Sequence, residues 1–151
     1  MKLKYLLLAL TAAALLPVLS GCGGSDDASA DVPLVPLGRY LYKADLICSD
    51  ASFDQSELAG AYLEKHPKAE EADLVLPAAV PPLEKMFRQL RQLGLPREHE
   101  EEAEIYLEKA EAALEVLKEE PERALSAKGN PFTKANQLGE KLGSGDCSRN
   151  P

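Results

Sequence analysis

Apolar residues follow two different patterns along the chain. Residues 5–19 form an almost uninterrupted apolar run, whereas from Leu37 onward apolar residues recur at intervals of three and four between charged ones. The second pattern places apolar side chains along one face of a helix. It continues almost to the C-terminus, so we predict a helical domain that follows a short apolar N-terminal segment.

The first predicted helix begins at Leu37 and ends before Pro67. Ile47 widens an apolar stripe spaced 4, 3, 4 and 3 residues apart, which consists of Leu37, Leu41, Ala44, Cys48 and Ala51. The spacing of Asp54 and Glu57 is similar to that of a capping box, which allows a break near residues 52–54.

Prolines interrupt the next apolar region, residues 70–93. Pro77, Pro81 and Pro82 each lack an amide donor and restrain the preceding residue. The predicted helix is therefore 82–93, with Gly94 at its C-terminal end. Its buried face is predicted to contain Leu83, Met86, Phe87, Leu90 and Leu93.

Pro96 is suited to begin a third helix that ends before Pro121, with a further turn to residue 127. Glutamates are frequent in its first turns, where the positive end of the helix dipole stabilises their negative charge. One side is lined by Ala103, Tyr106, Ala110, Ala113 and Leu117, beside Leu107 and Leu114.

A last short helix is predicted to start with Asn130 as cap and Pro131 at its first position. Its buried face would consist of Phe132, Ala135, Leu138 and Leu142. Gly143 and Gly145 then unwind the chain. No segment has the pattern of a β-strand, so the predicted fold class is all-α, a small bundle of three to four helices.

The apolar N-terminal run carries an export signal. Lys2 and Lys4 precede it, and it ends in Leu19-Ser20-Gly21-Cys22, which resembles the lipobox of bacterial lipoproteins. The resemblance implies that residues 1–21 are a signal peptide, that Cys22 receives a diacylglyceryl group and that cleavage occurs before it. The run is too short for a membrane-spanning helix.

Ordinary secretion is the alternative, because Ala28-Ser29-Ala30 is a possible signal-peptidase site. Glycines, serines and aspartates then make residues 22–36 a flexible, lipidated tether to a helical domain at 37–151. The expected location is outside the cytoplasm, anchored to the cell membrane by the lipidated cysteine.

Cysteine count supports one disulfide. If Cys22 carries the lipid, Cys48 and Cys147 remain, and an oxidising compartment favours their pairing. The bridge would close a loop of about 100 residues, which in the chain-entropy treatment stabilises the fold by up to about 4–5 kcal/mol. A catalytic thiol pair is the other reading, but it would need adjacent cysteines or basic neighbours.

Charge narrows the range of partners. Lys2 and Lys4 are the only charged residues before Cys22, so the remaining chain has 15 Lys and Arg against 25 Asp and Glu, a net charge of −10. Such a surface repels phosphate backbones, which argues against nucleic acid, and it disfavours adsorption onto anionic lipid. We expect the membrane to be contacted through the lipid alone.

Candidate catalytic and metal-binding groups are few. His66 and His99 are the only histidines. His99 and Glu102 are three residues apart, a spacing at which they could bind a divalent ion weakly on one helix face. The glutamates of residues 98–104 are expected to be solvated rather than catalytic. We therefore expect no enzyme activity, no metal site and no cofactor.

The folded part has a second, looser resemblance. Its N-terminal helix with a cysteine, its middle rich in Leu and Pro, and its final helix followed by Gly and Cys are similar to small uncharacterised helical lipoproteins of high-GC Gram-positive bacteria, over Tyr40 to Cys147. This resemblance implies a fold, but it does not point to any particular activity. The expected function is a binding or interaction module of the cell envelope; the alternative is a ligand- or metal-binding lipoprotein associated with a transporter.

Overall fold

The computed structural model describes residues 33–126 and 128–148, which form helices joined by short connections. The four longer helices in this part are α1 (Leu37–Lys65), α3 (Val80–Gln92), α4 (Glu100–Glu119) and α5 (Thr133–Leu142). Shorter elements are α2 (Glu71–Leu74), a π-helical turn (Val75–Ala79) and a 3₁₀ turn (Pro121–Leu125). The predicted all-α bundle is confirmed. The predicted signal peptide, Cys22 and most of the tether lie outside the described residues.

Two very short strands join the start of the domain to the link between α3 and α4. β1 (Leu34–Val35) pairs in parallel with β2 (Leu95–Pro96), and the Leu95 amide donates to the Pro33 carbonyl over 3.0 Å. The prediction that the chain contains no strand was wrong, because a two-residue strand has no periodicity to detect. Leu34 and Val35, which we assigned to the tether, are paired with the folded domain.

Helix α1 is continuous over its 29 residues, so the break allowed near residues 52–54 is absent. Asp54 instead accepts a hydrogen bond from Lys85 Nζ at 2.7 Å. The helix buries Tyr40, Ala44, Cys48 and Ala51, whereas the predicted Leu37 and Leu41 are half-buried. Beyond Ala51 no residue of α1 is buried, and the His66 amide ends the helix by donating to Tyr62.

The three prolines of the second region do not interrupt its helical course. Pro81 and Pro82 occupy the first turn of α3, where amides have no partner within the helix and none is lost. Pro77 lies in the π-helical turn. Helical structure thus runs from α2 to Gln92, and α3 begins two residues earlier than predicted. Gly94 ends it with φ 82°, as expected of the residue after a C-cap.

Helix α4 begins at Glu100 and not at Pro96, which belongs to β2. The buried face predicted for this helix is confirmed, since all seven of its apolar positions are buried. Burying each of its leucines contributes about 1.5–3 kcal/mol to stability. The predicted further turn after Pro121 is the 3₁₀ turn.

The last helix packs against α4 and closes the core. Asn130 Oδ1 accepts a hydrogen bond from the Phe132 amide at 2.8 Å, and regular helix begins at Thr133, two residues after the predicted start. The buried Phe132 ring stacks on Phe87 of α3 with centroids 6.4 Å apart. Gly143 then ends α5 with φ 88°, so the chain can turn back towards α1. None of the helices described is long and apolar enough to cross a bilayer.

Candidate interaction surface

The C-terminal segment is fastened to the middle of α1. Cys48 and Cys147, 99 positions apart in sequence, form a disulfide with Cα atoms 5.1 Å apart, which confirms the predicted pair. Asp45 Oδ1 accepts hydrogen bonds from Ser144 Oγ at 2.9 Å and from the Asp146 amide at 3.3 Å. A covalent bond and a carboxylate therefore hold this segment against the same turn of α1.

Two tyrosines are buried beside an ion-pair cluster. Tyr40 is almost fully buried, and its hydroxyl has no hydrogen-bond partner among the described residues. Burial raises the pKa of Tyr40 to about 12; Arg91 opposes this rise and Glu104 adds to it. Burial, with a smaller contribution from Tyr40, also raises the pKa of Tyr106. Both phenols are therefore neutral at physiological pH and belong to the core.

Arg91 connects α3 to α4. Its guanidinium donates to both carboxylate oxygens of Glu111 at 2.9 Å and to Glu104 Oε1 at 2.6 Å. The hydrogen bond to Glu111 is the largest cause that raises the pKa of Arg91 above its ordinary value. Two-pronged geometry of this kind is among the stronger forms of ion pair, so the cluster acts as a clamp between helices.

The glutamates at both ends of the acidic run, residues 98–104, form hydrogen bonds that connect elements of the fold. Glu98 Oε2 accepts a 2.9 Å hydrogen bond from the Leu37 amide at the first position of α1, and Glu104 is held by Arg91. Glu100, Glu101 and Glu102, which lie between them, are exposed in the first turn of α4. Periodicity gave no sign of the bond from Glu98 to α1, because it joins residues 61 positions apart.

The two histidines lie apart and make only local contacts. The His66 ring lies 4.4 Å from that of Tyr62, and His99 Nδ1 is 3.7 Å from Glu102 Oε1. Over residues 33–126 and 128–148, no group of three or more His, Cys, Asp or Glu side chains is arranged to hold a metal ion.

One surface groove is largely occupied by paired charges. A groove of about 480 Å³ between α3 and α4 is lined by Phe87 and Leu114, but also by the Arg91–Glu111 pair. Lys118 in the same groove lies 2.7 Å from Glu84 and 2.8 Å from Glu115. A ligand would have to displace these ion pairs, which makes the groove a poor binding site.

The outer face of α1 has a different character. Seven exposed residues without charge lie in one line, opposite the face that packs on the core: Gly38, Tyr42, Leu46, Ser49, Phe53, Ser56 and Gly60. We call this set the outer stripe. It contains two interleaved series with seven-residue spacing, the repeat of a helix that packs along another helix. At 1.5 Å per residue the outer stripe is about 33 Å long.

Its large side chains are strongly exposed. Tyr42, Leu46 and Phe53 leave 67%, 50% and 64% of their surface open to solvent. Single exposed apolar residues are common, but an aligned set on one helix is typical of a docking surface. A Cβ added at Gly38 or Gly60 would meet no atom within 4 Å, so the fold itself does not require glycine there. Glycine inside a helix costs about 0.5–1 kcal/mol relative to alanine.

One edge of the outer stripe is positively charged along its N-terminal half and negatively charged along its C-terminal half. Arg39 and Lys43 lie along its N-terminal half, and Asp50, Glu57 and Glu64 follow along the same edge of its C-terminal half. All five are exposed. Within the described residues, Arg39, Lys43, Glu57 and Glu64 form no ion pair, in contrast to the clamped charges of α3 and α4.

Sequence reasoning missed the outer stripe, although the second apolar repeat was visible in the spacing of Tyr42, Leu46 and Phe53. Cys22, the predicted lipidation site, lies outside the described residues. Comparisons with protein families, with curated proteins and with solved structures give no significant match.

Proposed function

We propose that this protein is a membrane-anchored extracytoplasmic lipoprotein without enzymatic activity, whose outer stripe on α1 binds a protein partner in the cell envelope. The observation that carries the proposal is the aligned exposure of Tyr42, Leu46 and Phe53. Aromatic and aliphatic side chains of this kind form the energetic centres of protein interfaces.

The sequence order of anchor, tether and helix supports this arrangement. The lipobox ends at Cys22, and the folded domain begins with the pairing of Leu34 and Val35. Fully extended, the 11 residues between Cys22 and Leu34 would reach about 35–40 Å. α1 follows this tether directly, so its outer stripe would be presented within a short distance of the membrane.

The groove between α3 and α4 does not support the ligand- or metal-binding alternative. The groove between α3 and α4 is lined by glutamates already paired with Arg91 and Lys118. The proposal for a protein partner therefore has the stronger support.

Anchoring is tested by Cys22→Ser in the full-length chain. The wild-type protein should incorporate a labelled fatty acid, and the variant should lose the label and accumulate as uncleaved precursor. Ser25→Ala, also between the lipobox and the fold, is the matched control and should keep the label. A wild-type chain that takes up no fatty acid would overturn the anchor.

Partner binding is tested by photocrosslinking in living cells. A photoreactive phenylalanine analogue at Phe53 should give a discrete adduct, whereas the same analogue at Ile105, which is 37% exposed on α4, should give none. Adducts at neither position, or equal adducts at both, would contradict a binding role for the outer stripe.

A further inference from the structure

We infer that the partner of the outer stripe is a second copy of this chain, packed antiparallel along α1. This inference rests on the proposed function, because it identifies the occupant of the same surface. It is carried by three features of α1: the order of large and small residues, a glycine at position 60 that the fold does not need, and the distribution of charge along one edge.

Residue size is self-complementary in one antiparallel register. When position 51 of each α1 lies at the two-fold axis, Tyr42 faces Gly60 of the other copy and Leu46 faces its Ser56. Phe53 then faces Ser49 of the other copy. Each large side chain meets a small one, and symmetry repeats every contact. Helices that pack with small residues at the contact can approach more closely than the usual 8–10 Å.

Gly60 has a role in this register. Gly60 lies on open surface in the monomer, where alanine would make α1 more stable. Facing Tyr42 of a second copy, its missing side chain leaves room for the phenol ring. A bilayer or an unrelated flat surface would place no such demand on this position.

Charge is complementary in the same register. Arg39 comes within one residue of the level of Glu64 of the other copy, and Lys43 lies within about a turn of its Glu57. Both pairs occur twice by symmetry. The four acidic residues beside the stripe, Asp45, Asp50, Glu57 and Glu64, would repel an anionic bilayer surface. Asp50 is the exception among these charges. It lies beside the two-fold axis, close to Asp50 of the other copy, so the two negative charges oppose association.

Sedimentation equilibrium of the full-length chain in a density-matched nonionic detergent tests the inference. We expect a reversible dimer whose dissociation constant rises at least tenfold in Phe53→Asp and is unchanged in the control Ile105→Asp. Lys43→Glu and Glu57→Lys should each weaken the dimer about fivefold, because each places like charges opposite one another. The double variant should restore association, because both members of each pair change sign and attract again. Asp50→Asn should strengthen it.

Gly60→Leu separates dimer packing from helix stability. We expect a higher melting temperature at concentrations where the wild type is monomeric, together with at least tenfold weaker dimerisation. A substitution that merely disturbed folding would lower the melting temperature as well as weaken dimerisation. Circular dichroism of each variant confirms that the helices are retained.

Three results would overturn the inference: a wild-type chain that stays monomeric up to about 1 mM, a dimer indifferent to Phe53→Asp, or a charge exchange that fails to restore association. A photocrosslinked adduct at Phe53 containing a different protein would also overturn it while leaving the proposed function intact. A monomer that binds phosphatidylcholine vesicles only with Phe53 present would overturn it in favour of a bilayer surface. Loss of fatty-acid labelling would affect the anchor alone.

Discussion

At the scale of single residues, one buried side-chain oxygen in the described part of the chain lacks a hydrogen bond. The Tyr40 side chain is 2% exposed, and its hydroxyl has no partner within the described part of the chain. Leaving a buried hydroxyl unsatisfied costs about 1–3 kcal/mol. The ring itself belongs to the hydrophobic core, so its burial stabilises the fold while the unsatisfied oxygen destabilises it.

We therefore expect Tyr40→Phe to raise the free energy of unfolding by about 1 kcal/mol at pH 8. Urea denaturation followed by circular dichroism measures this change. Tyr42→Phe is the matched control, because Tyr42 is two-thirds exposed and loses no buried oxygen. A loss of stability in Tyr40→Phe would mean that the hydroxyl is satisfied in solution.

The same residue gives a prediction for alkaline pH. The folded-state pKa of about 12 lies above the ordinary value of 10.0, so the folded chain holds the phenol proton more tightly than the unfolded chain. The stabilisation is complete below about pH 10 and is lost as the pH rises through 12, by up to about 3 kcal/mol. Between these pH values wild type should lose more stability than Tyr40→Phe, as measured by denaturation at pH 8, 10 and 11.5. Parallel curves would contradict the raised pKa.

At the scale of elements, the link between α3 and α4 depends on one glycine. Gly94 has φ 82°, and an added Cβ would overlap the Pro33 carbonyl oxygen, which also accepts the hydrogen bond that begins the β1–β2 pairing. We expect Gly94→Ala to lower the free energy of unfolding by about 2–3 kcal/mol, from left-handed strain together with the overlap. Thermal unfolding measures the loss.

Gly145→Ala provides the control for this prediction. Gly145 also follows a helix, but nothing lies within 4 Å of an added Cβ, so its stability should change by less than about 0.5 kcal/mol. If both variants behaved alike, residues 33–35 would not be packed against Gly94.

The helices themselves could be predicted from sequence because each buries a stripe with helical spacing. The buried face of α4 agrees at every position. The errors arose at prolines. Pro81 and Pro82 were taken as breaks, yet in the first turn of α3 they remove no hydrogen bond. Pro96 was taken as a helix start, but pairing with Val35, 61 residues away, places it in a strand. Local rules contain no information on such distant partners.

The candidate surface was only partly predictable for a related reason. Cys48 lay on the predicted buried stripe of α1, and its pairing with Cys147 followed from counting. Tyr42, Leu46 and Phe53 form a second repeat on the same helix, and a second apolar repeat does not tell which one faces the core. Packing settled this, since Ala44, Cys48 and Ala51 are the positions buried by α3 and the C-terminal segment.

At the scale of the whole molecule, the disulfide restrains nearly the entire folded chain. The Cys48–Cys147 bond closes a loop across a separation of 99 residues. Reduction should remove about 2–4 kcal/mol of stability and lower the melting temperature by several degrees or more. Helix content should persist in the cold, because the core packing does not depend on the bond. Thermal scans by circular dichroism with and without reductant measure both quantities.

The double variant Cys48→Ser, Cys147→Ser is the control. It should melt near the reduced wild type and be insensitive to reductant. Peptide mapping that found Cys48 and Cys147 as free thiols in the purified protein would contradict the bridge. An unchanged melting temperature on reduction, with the bridge confirmed, would contradict only its contribution to stability.

The position of this bond also determines what happens when the backbone is cut. The exposed connection between α1 and α2, including Pro67 and Lys68, lies inside the closed loop, as do α3 and α4. A protease that cleaves once at this connection produces two polypeptides that remain one covalent molecule. Neither piece can diffuse away, and the severed α2–α5 portion stays attached to α1 and the N-terminal segment. The protein can therefore be cut once in this connection without separating into two molecules.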